Sequence, residues 1–165
     1  MPNWVFNKVY FYGDKEKIKE IKDAVSTEDN KFDFNKIVPM PDNIYCGPLG
    51  QEEMRLYGKN NWYDWSWDNW GTKWNASDVC WSGDNFVSFS TAWNTPEKVF
   101  KALAEKYPDV EFSVSFADED LGNNCGTIDY DKETGFDVLY QDDFDFACDV
   151  WGYDPDEMRE EYCYE

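Results

Sequence analysis

The sequence contains the same succession of patterns twice: a strand, an amphipathic helix and a second strand. Residues 4–12 are rich in aromatic and β-branched side chains and end at a Gly-Asp pair, which is typical of a strand followed by a turn. Asp14 is placed to cap a helix. The apolar residues of that helix recur at helical spacing: Ile18, Ile21 and Val25. Residues 32–38 then predict a second strand, which closes a first β-α-β unit.

A second unit begins after a long interruption. Residues 86–91 predict a strand, and Thr95-Pro96 predicts a helix start with Thr95 as N-cap and Pro96 at the first helical position. The helix places three apolar residues on one face: Phe100, Leu103 and Tyr107. Residues 110–116 then alternate strictly between apolar and polar side chains, which predicts a half-buried strand.

Three further elements are predicted after this unit. Residues 127–131 and 136–140 flank the segment Lys132–Gly135 and predict a β-hairpin. An apolar stripe over residues 142–151 predicts a helix with aspartates on its opposite face. A last short helix is predicted to start at Asp154-Pro155, with an acid at its third position.

Two β-α-β halves on an antiparallel sheet are the plan of the ferredoxin-like fold. The sequence therefore predicts an α+β protein with a ferredoxin-like core, a Trp-rich insert between the halves, an added β-hairpin and C-terminal helices. A length of 165 residues is typical of one domain. The predicted segments are the first half at 1–40, the Trp-rich insert at 41–80, the second half at 81–118 and an acidic hairpin with a helical tail at 119–165.

The insert contains five tryptophans between residues 62 and 74. We expect most of these rings to pack in the core, because large aromatic side chains are mostly buried. The alternative is a binding platform for a small molecule or nucleotide. In that case Trp62 and Trp65, which lie off the main helical stripe, would be exposed, and Lys73 would lie beside the ligand.

Three motifs carry a resemblance to a known family. They are Met1-Pro2-Asn3-Trp4, the block Asn69-Trp70-Gly71-Thr72-Lys73-Trp74-Asn75, and Phe89-Ser90-Thr91-Ala92-Trp93. With these motifs, the chain resembles the YubB-type ferredoxin-like family, small proteins found mainly on phages, prophages and plasmids. The resemblance extends over roughly residues 1–130 and leaves the acidic tail largely outside. It implies a ferredoxin-like fold and a mobile-element origin, and no activity or catalytic residues.

Charge is concentrated in the last third of the chain. The net charge is −20, of which −16 lies in residues 111–165. Such a field repels nucleic acid and anionic membranes and attracts basic partners. The candidate partner-binding residues are Asp118, Glu119, Asp120, Asp129, Asp131, Asp137, Asp142, Asp145, Asp149, Glu157 and Glu161.

Histidine is absent, which excludes a Ser-His-Asp triad, a Cys-His pair and imidazole metal ligands. The five cysteines are scattered, and the acids around Asp129 and Asp131 lack the full spacing of a calcium loop. We therefore expect no enzyme activity, no cofactor and no metal. No signal peptide or membrane-spanning run is visible, so the expected location is the cytoplasm of a bacterial host.

These observations lead to a hypothesis for function. The chain is expected to bind a basic surface on a nucleic-acid-binding host protein, such as a defence enzyme of the restriction or CRISPR type, and to inhibit it as a mimic of a nucleic-acid backbone. Carboxylates two residues apart on a strand are separated by about 6.6 Å, and phosphates along one DNA strand rise by about 3.4 Å. An acidic face that serves only solubility is an equal alternative, and the sequence does not determine the oligomeric state.

Overall fold

The computed structural model describes residues 1–29 and 31–162. The strands are β1 (Trp4–Tyr12), β2 (Ser77–Ser82), β3 (Phe86–Ala92), β4 (Glu111–Asp118), β5 (Cys125–Asp131) and β6 (Gly135–Gln141). The helices are α1 (Lys15–Val25), α2 (Gln51–Tyr57), α3 (Trp62–Asn69), α4 (Glu97–Lys106), α5 (Phe144–Trp151) and α6 (Pro155–Tyr162). A short 3-10 helix spans Phe34–Lys36.

The six strands form one antiparallel sheet in the order β2-β3-β1-β4-β5-β6. Its first four strands, with α1 between β1 and β2 and α4 between β3 and β4, have the connectivity of a ferredoxin-like core. The hairpin β5-β6 extends the sheet beyond β4. The α+β, ferredoxin-like prediction is confirmed.

The main core lies between this sheet and helices α1 and α4. Alternate residues of β1 point into it, so that Val5, Val9 and Phe11 are buried while their neighbours face the other side. The predicted inner stripe of α1 is buried against them, and Asp14 caps that helix by accepting from two backbone amides. Complete burial of each of these aliphatic or aromatic side chains contributes about 1.5–3 kcal/mol.

The strand predicted over residues 32–38 is absent, which corrects the sequence interpretation. The Asp33 side chain accepts from the Asn35 amide and starts a 3-10 turn, and Asn75 Oδ1 accepts from the Phe34 amide at 2.9 Å. This local bonding competes with a strand ladder. The place of the predicted strand is taken by β2. The segment carrying α2 and α3 therefore lies between α1 and β2, inside the first half rather than between the halves.

The start of α4 also differs from the prediction. Pro96 occupies the N-cap position and the Thr95 side chain does not cap the helix. Thr95 Oγ1 instead donates to Oδ1 of the buried Asn7 at 2.7 Å. Asn7 in turn donates to Thr91 Oγ1 at 3.0 Å. The Thr95 hydroxyl, predicted to cap the helix, therefore belongs to a buried polar cluster.

The opposite side of the sheet is covered at one end by α5. Ala147, Cys148 and Val150 are buried there against Ala117 and other residues of the sheet. The ring of Trp151 stacks on Phe6 at a centroid distance of 5.2 Å. The predicted hairpin and both C-terminal helices are present, and α6 packs on α5. No helix in residues 1–29 and 31–162 is long and apolar enough to cross a membrane.

Candidate acidic binding surface

The side of the sheet turned away from α1 and α4 is called the open face. Side chains alternate between the two faces along each strand, and the strand register assigns each residue to one of them. On β5 and β6 the open face carries Asp129 and Asp137, which stand directly opposite each other. Both are exposed. The register thus places both acids on the same side of the hairpin.

Each acid of the hairpin has a distinct local setting. Ser113 Oγ on β4 donates to Asp129 Oδ1 at 2.6 Å, which holds that carboxylate against the open face. Asp131 accepts from the backbone amides of Glu133 and Thr134 at the turn. These two amides favour the charged carboxylate and lower the pKa of Asp131 below its ordinary value.

Helices α5 and α6 continue the acidic character over the covered end of the same side. Asp145 and Asp149 are exposed on the outer face of α5, and Asp142 is exposed just before it. Glu157 and Glu161 are exposed on α6. Arg159 forms ion pairs with Asp145 and Asp156 and is a local counter-charge of this layer.

The loop between β4 and β5 requires a correction. Asp118 is a candidate partner-binding residue of the sequence, but it is the last residue of β4 and only 6% exposed. Its carboxylate accepts from the side-chain amides of Asn3 and Asn124 and from the Asp120 amide. Asp118 therefore organises the loop and presents no free charge to a partner. Glu119 and Asp120 are exposed at the sheet margin.

We define the acidic layer as those candidate partner-binding acids that lie on the open face of the hairpin and on or beside α5 and α6. Its members are Asp129, Asp131, Asp137, Asp142, Asp145, Asp149, Glu157 and Glu161. The two helices on the other side of the sheet carry seven lysines, four on α1 and three on α4: Lys15, Lys17, Lys19, Lys22, Lys98, Lys101 and Lys106. The fold thus separates an acidic side from one of mixed charge.

Of the five rings in the tryptophan segment, one is buried in the core and the other four are half-buried. Trp70 is the buried ring, at 4% exposed, and the half-buried Trp65 packs edge-on against it at 5.3 Å at the margin of the main core. Trp62 is half-buried, and its Nε1 donates to the Gly47 carbonyl at 3.1 Å. Trp62 and Trp65, the rings expected to be exposed if the segment were a ligand platform, are both half-buried against neighbouring structure.

Lys73 was the third residue of the alternative ligand site. Its Nζ lies 4.3 Å from the centroid of the Trp74 ring, a cation–π contact within the chain. A cavity of about 450 Å³ opens elsewhere, between the β1–α1 and β2–β3 turns. Its lining includes Phe11, Lys15 and Asp84 and none of the three residues of the alternative site. Among the described residues, no group of three or more Cys, Asp or Glu is arranged to hold a metal ion.

The sequence interpretation missed a set of exposed apolar residues beside the acids. Tyr10 and Tyr12 share the open face with Phe86, whose ring lies 4.5 Å from that of Tyr10. Leu139 and Tyr140 are exposed on β6. The alternation of side chains along β1 indicates that Tyr10 and Tyr12 lie on the face opposite the core. The exposure of Leu139 and Tyr140 follows from the position of β6 at the sheet edge, which no local pattern reveals.

Comparison with known protein families gives a match over the C-terminal part of the chain. The family described as the ferredoxin-like domain in Api92-like protein matches residues 69–164, which is more than half of the chain. The matched span runs from the end of α3 to the tail. It includes the acidic C-terminal third, which the resemblance noted from the sequence leaves largely outside. No curated protein matches, and no solved structure matches.

Proposed function

This chain belongs to the family of the ferredoxin-like domain in Api92-like protein, and from that premise we propose that it is a non-enzymatic protein that binds a basic surface on another protein. The single observation that carries the proposal is the gathering of the acidic layer on one side of the sheet. Separate segments of the chain, β5-β6, α5 and α6, contribute to it. Complementary potentials of this kind steer association and select partners.

The spacing of the acids supports mimicry of a nucleic-acid backbone. Directly opposed residues such as Asp129 and Asp137 have Cβ atoms about 4.5–5.5 Å apart. Helix neighbours such as Asp145 and Asp149 have Cβ atoms about 5–6 Å apart. These separations are of the order of the phosphate spacing in DNA, where each strand carries one charge per about 3.4 Å of axis. A nucleic-acid-binding protein is therefore the proposed partner, and nucleic acid itself is not.

The proposed setting follows from the sequence resemblance to the YubB-type family. It supports an origin on a phage or plasmid and a place in the cytoplasm of a bacterial host. In that setting the partner is a host defence enzyme of the restriction or CRISPR type, and the acidic layer competes with DNA or RNA for its basic groove. The packing of Trp65 against the buried Trp70 argues against a ligand platform in the insert.

The test compares two variants of equal net charge. Asp137→Asn, Asp142→Asn and Asp149→Asn together neutralise exposed members of the acidic layer. Glu16→Gln, Glu20→Gln and Glu105→Gln neutralise exposed acids on α1 and α4. Each protein is immobilised and exposed to bacterial lysate at low and moderate salt, with the retained proteins identified by mass spectrometry.

The wild type and the α1/α4 variant should retain the same basic nucleic-acid-binding proteins, which duplex DNA or moderate salt then releases. The acidic-layer variant should lose them. If all three proteins retain the same set, the acidic layer does not select the partner. Equal retention together with poorer solubility of the acidic-layer variant would support the solubility alternative.

A further inference from the structure

Strand β6 is an unpaired edge of the sheet. Its residues pair with β5 along their whole length without a register shift, and in the described part of the chain no strand pairs with the other side. Seven residues of strand span about 23 Å. The backbone groups on this outer side are therefore free to accept another strand.

The other edge of the sheet is protected. In β2 the pairing register with β3 shifts between Ser77 and Cys80, and Asp78 there has a φ of 52°. Irregularities of this kind turn an edge away from further pairing. Strand β6 has no such irregularity and contains no lysine, arginine or proline. The regularity of an edge strand decides whether another strand can be added to it. Strand β6 is regular and β2 is not.

The surface of β6 also has a defined chemistry. Leu139 is 55% exposed on the open face and Tyr140 is 48% exposed on the other, so both faces offer apolar area to an added strand. Asp137 lies between them and the turn, opposed by Asp129. Further acids stand at the two ends of the strand, at Glu133 and at Asp142-Asp143.

We propose that β6 is the docking edge for an extended basic segment of the partner, which pairs with it as a seventh strand. Lysine or arginine side chains of that segment would lie beside Asp137 and relieve its repulsion with Asp129. Main-chain hydrogen bonds provide affinity in this mode, and alternate side chains provide specificity. The inference rests on the proposed function and assigns the contact within it.

A second copy of this chain is a poor occupant of the edge. Each copy carries a net charge of −20, and pairing two β6 strands would bring two sets of acids together. Charged residues on edge strands disfavour such self-association. The same charges attract a basic strand, so the edge favours a basic segment over a second copy of this chain.

The probe is a capped synthetic peptide of alternating lysine and valine, long enough to span β6. A matched peptide of the same sequence is N-methylated along its backbone, which keeps its charge and removes its hydrogen-bond donors. Affinities are measured by calorimetry at low salt, and amide hydrogen exchange of the full chain is followed residue by residue by NMR. The variant Leu139→Lys places a positive charge on the edge, and Leu56→Lys makes the same change at an exposed leucine on α2.

The unmodified peptide should slow exchange of the β6 amides and bind more tightly than the N-methylated one by at least about ten-fold, since several net hydrogen bonds are involved. Leu139→Lys should weaken the binding of the unmodified peptide, and Leu56→Lys should leave that binding unchanged. Equal affinity of both peptides with unchanged β6 exchange would overturn the edge assignment and leave the acidic function standing. Slowed β6 exchange that depends on protein concentration alone would assign the edge to a second copy. Absence of binding by either peptide would count against the proposed function itself.

Discussion

Asp129 and Asp137 are directly opposed on neighbouring strands of the open face, and both are exposed. Like charges in this arrangement are destabilising by about 0.2–1 kcal/mol. The chain therefore retains a local repulsion at the centre of the surface to which we assign binding. A function that needs both charges explains why that cost is tolerated.

The first prediction concerns this pair. Asp137→Asn should raise the free energy of unfolding by about 0.2–1 kcal/mol, because the cross-strand repulsion is removed. Asp142→Asn changes an exposed acid outside the paired strands and should leave stability nearly unchanged. Urea unfolding at low ionic strength measures both, and the gain at Asp137 should shrink in high salt. A loss of stability for Asp137→Asn would contradict the proposed repulsion.

A second prediction concerns the buried polar cluster at the start of α4. Asn7 accepts from Thr95 and donates to Thr91, and all three are fully buried. Asn7→Leu leaves the buried Thr95 hydroxyl without its acceptor, whereas the Thr91 hydroxyl keeps its bond to the Asn94 carbonyl. The substitution should cost about 1–3 kcal/mol. Denaturant unfolding measures the loss. Ser88→Ala, on β3 at the other face, is the control and should cost far less.

A third prediction follows from the lowered pKa of Asp131. Because the folded-state pKa lies below the ordinary value of 3.8, the charged form stabilises the fold above that value. This contribution is lost as pH falls through the folded pKa. Asp131→Asn keeps an oxygen acceptor for the turn amides but does not titrate. The free energy of unfolding should therefore be higher for the wild type than for the variant near neutral pH, and the difference should narrow in strong acid. Denaturant unfolding at several pH values measures it. A difference that widens on acidification would be inconsistent with this role.

A fourth prediction concerns the docking of α6. Arg159 pairs with Asp145 and Asp156, and its guanidinium lies 5.4 Å from the centroid of the Phe144 ring. Arg159→Gln should speed amide exchange and proteolysis in α6, while global stability changes by about 1 kcal/mol or less, since exposed ion pairs contribute little. Lys132→Gln removes the other basic side chain of residues 111–165, on the hairpin turn, and serves as the control. Equal effects of the two variants would show that Arg159 does not hold α6.

Patterns with a strong local period predicted the fold well. The helix α1, with Ile18, Ile21 and Val25 inward, and the alternation of β4 are present as expected. The strand predicted over residues 32–38 was wrong for two reasons. The Asp33 side chain accepts a hydrogen bond from the nearby Asn35 amide, and the side chain of Asn75, which is distant in sequence, accepts one from the Phe34 amide. Strand β2 carries polar residues and a register shift, so its pattern is too weak to be recognised locally.

The acidic character of the candidate surface could be predicted from the sequence, but the exposure of each acid could not. The hairpin predicted from the sequence is enough to put Asp129 and Asp137 on one face, because hairpin register follows from the turn. Asp118 sits in an acidic run, Asp118–Asp120, that has the appearance of an exposed loop. Its burial depends on Asn3 and Asn124, which reach it from other segments. Partners of this kind are set by tertiary packing and leave no local signal.

The central claim is that acids from β5, β6, α5 and α6 create one strongly negative side of the molecule. Its most direct test is the NMR relaxation enhancement of backbone amides by a cationic nitroxide cosolute, compared with a neutral one of the same size. The ratio of the two enhancements reports the local potential at each amide. We predict a high ratio across the open face of the hairpin and over α5 and α6, and a markedly lower ratio over α1 and α4. Equal ratios on the two sides of the sheet would contradict the account.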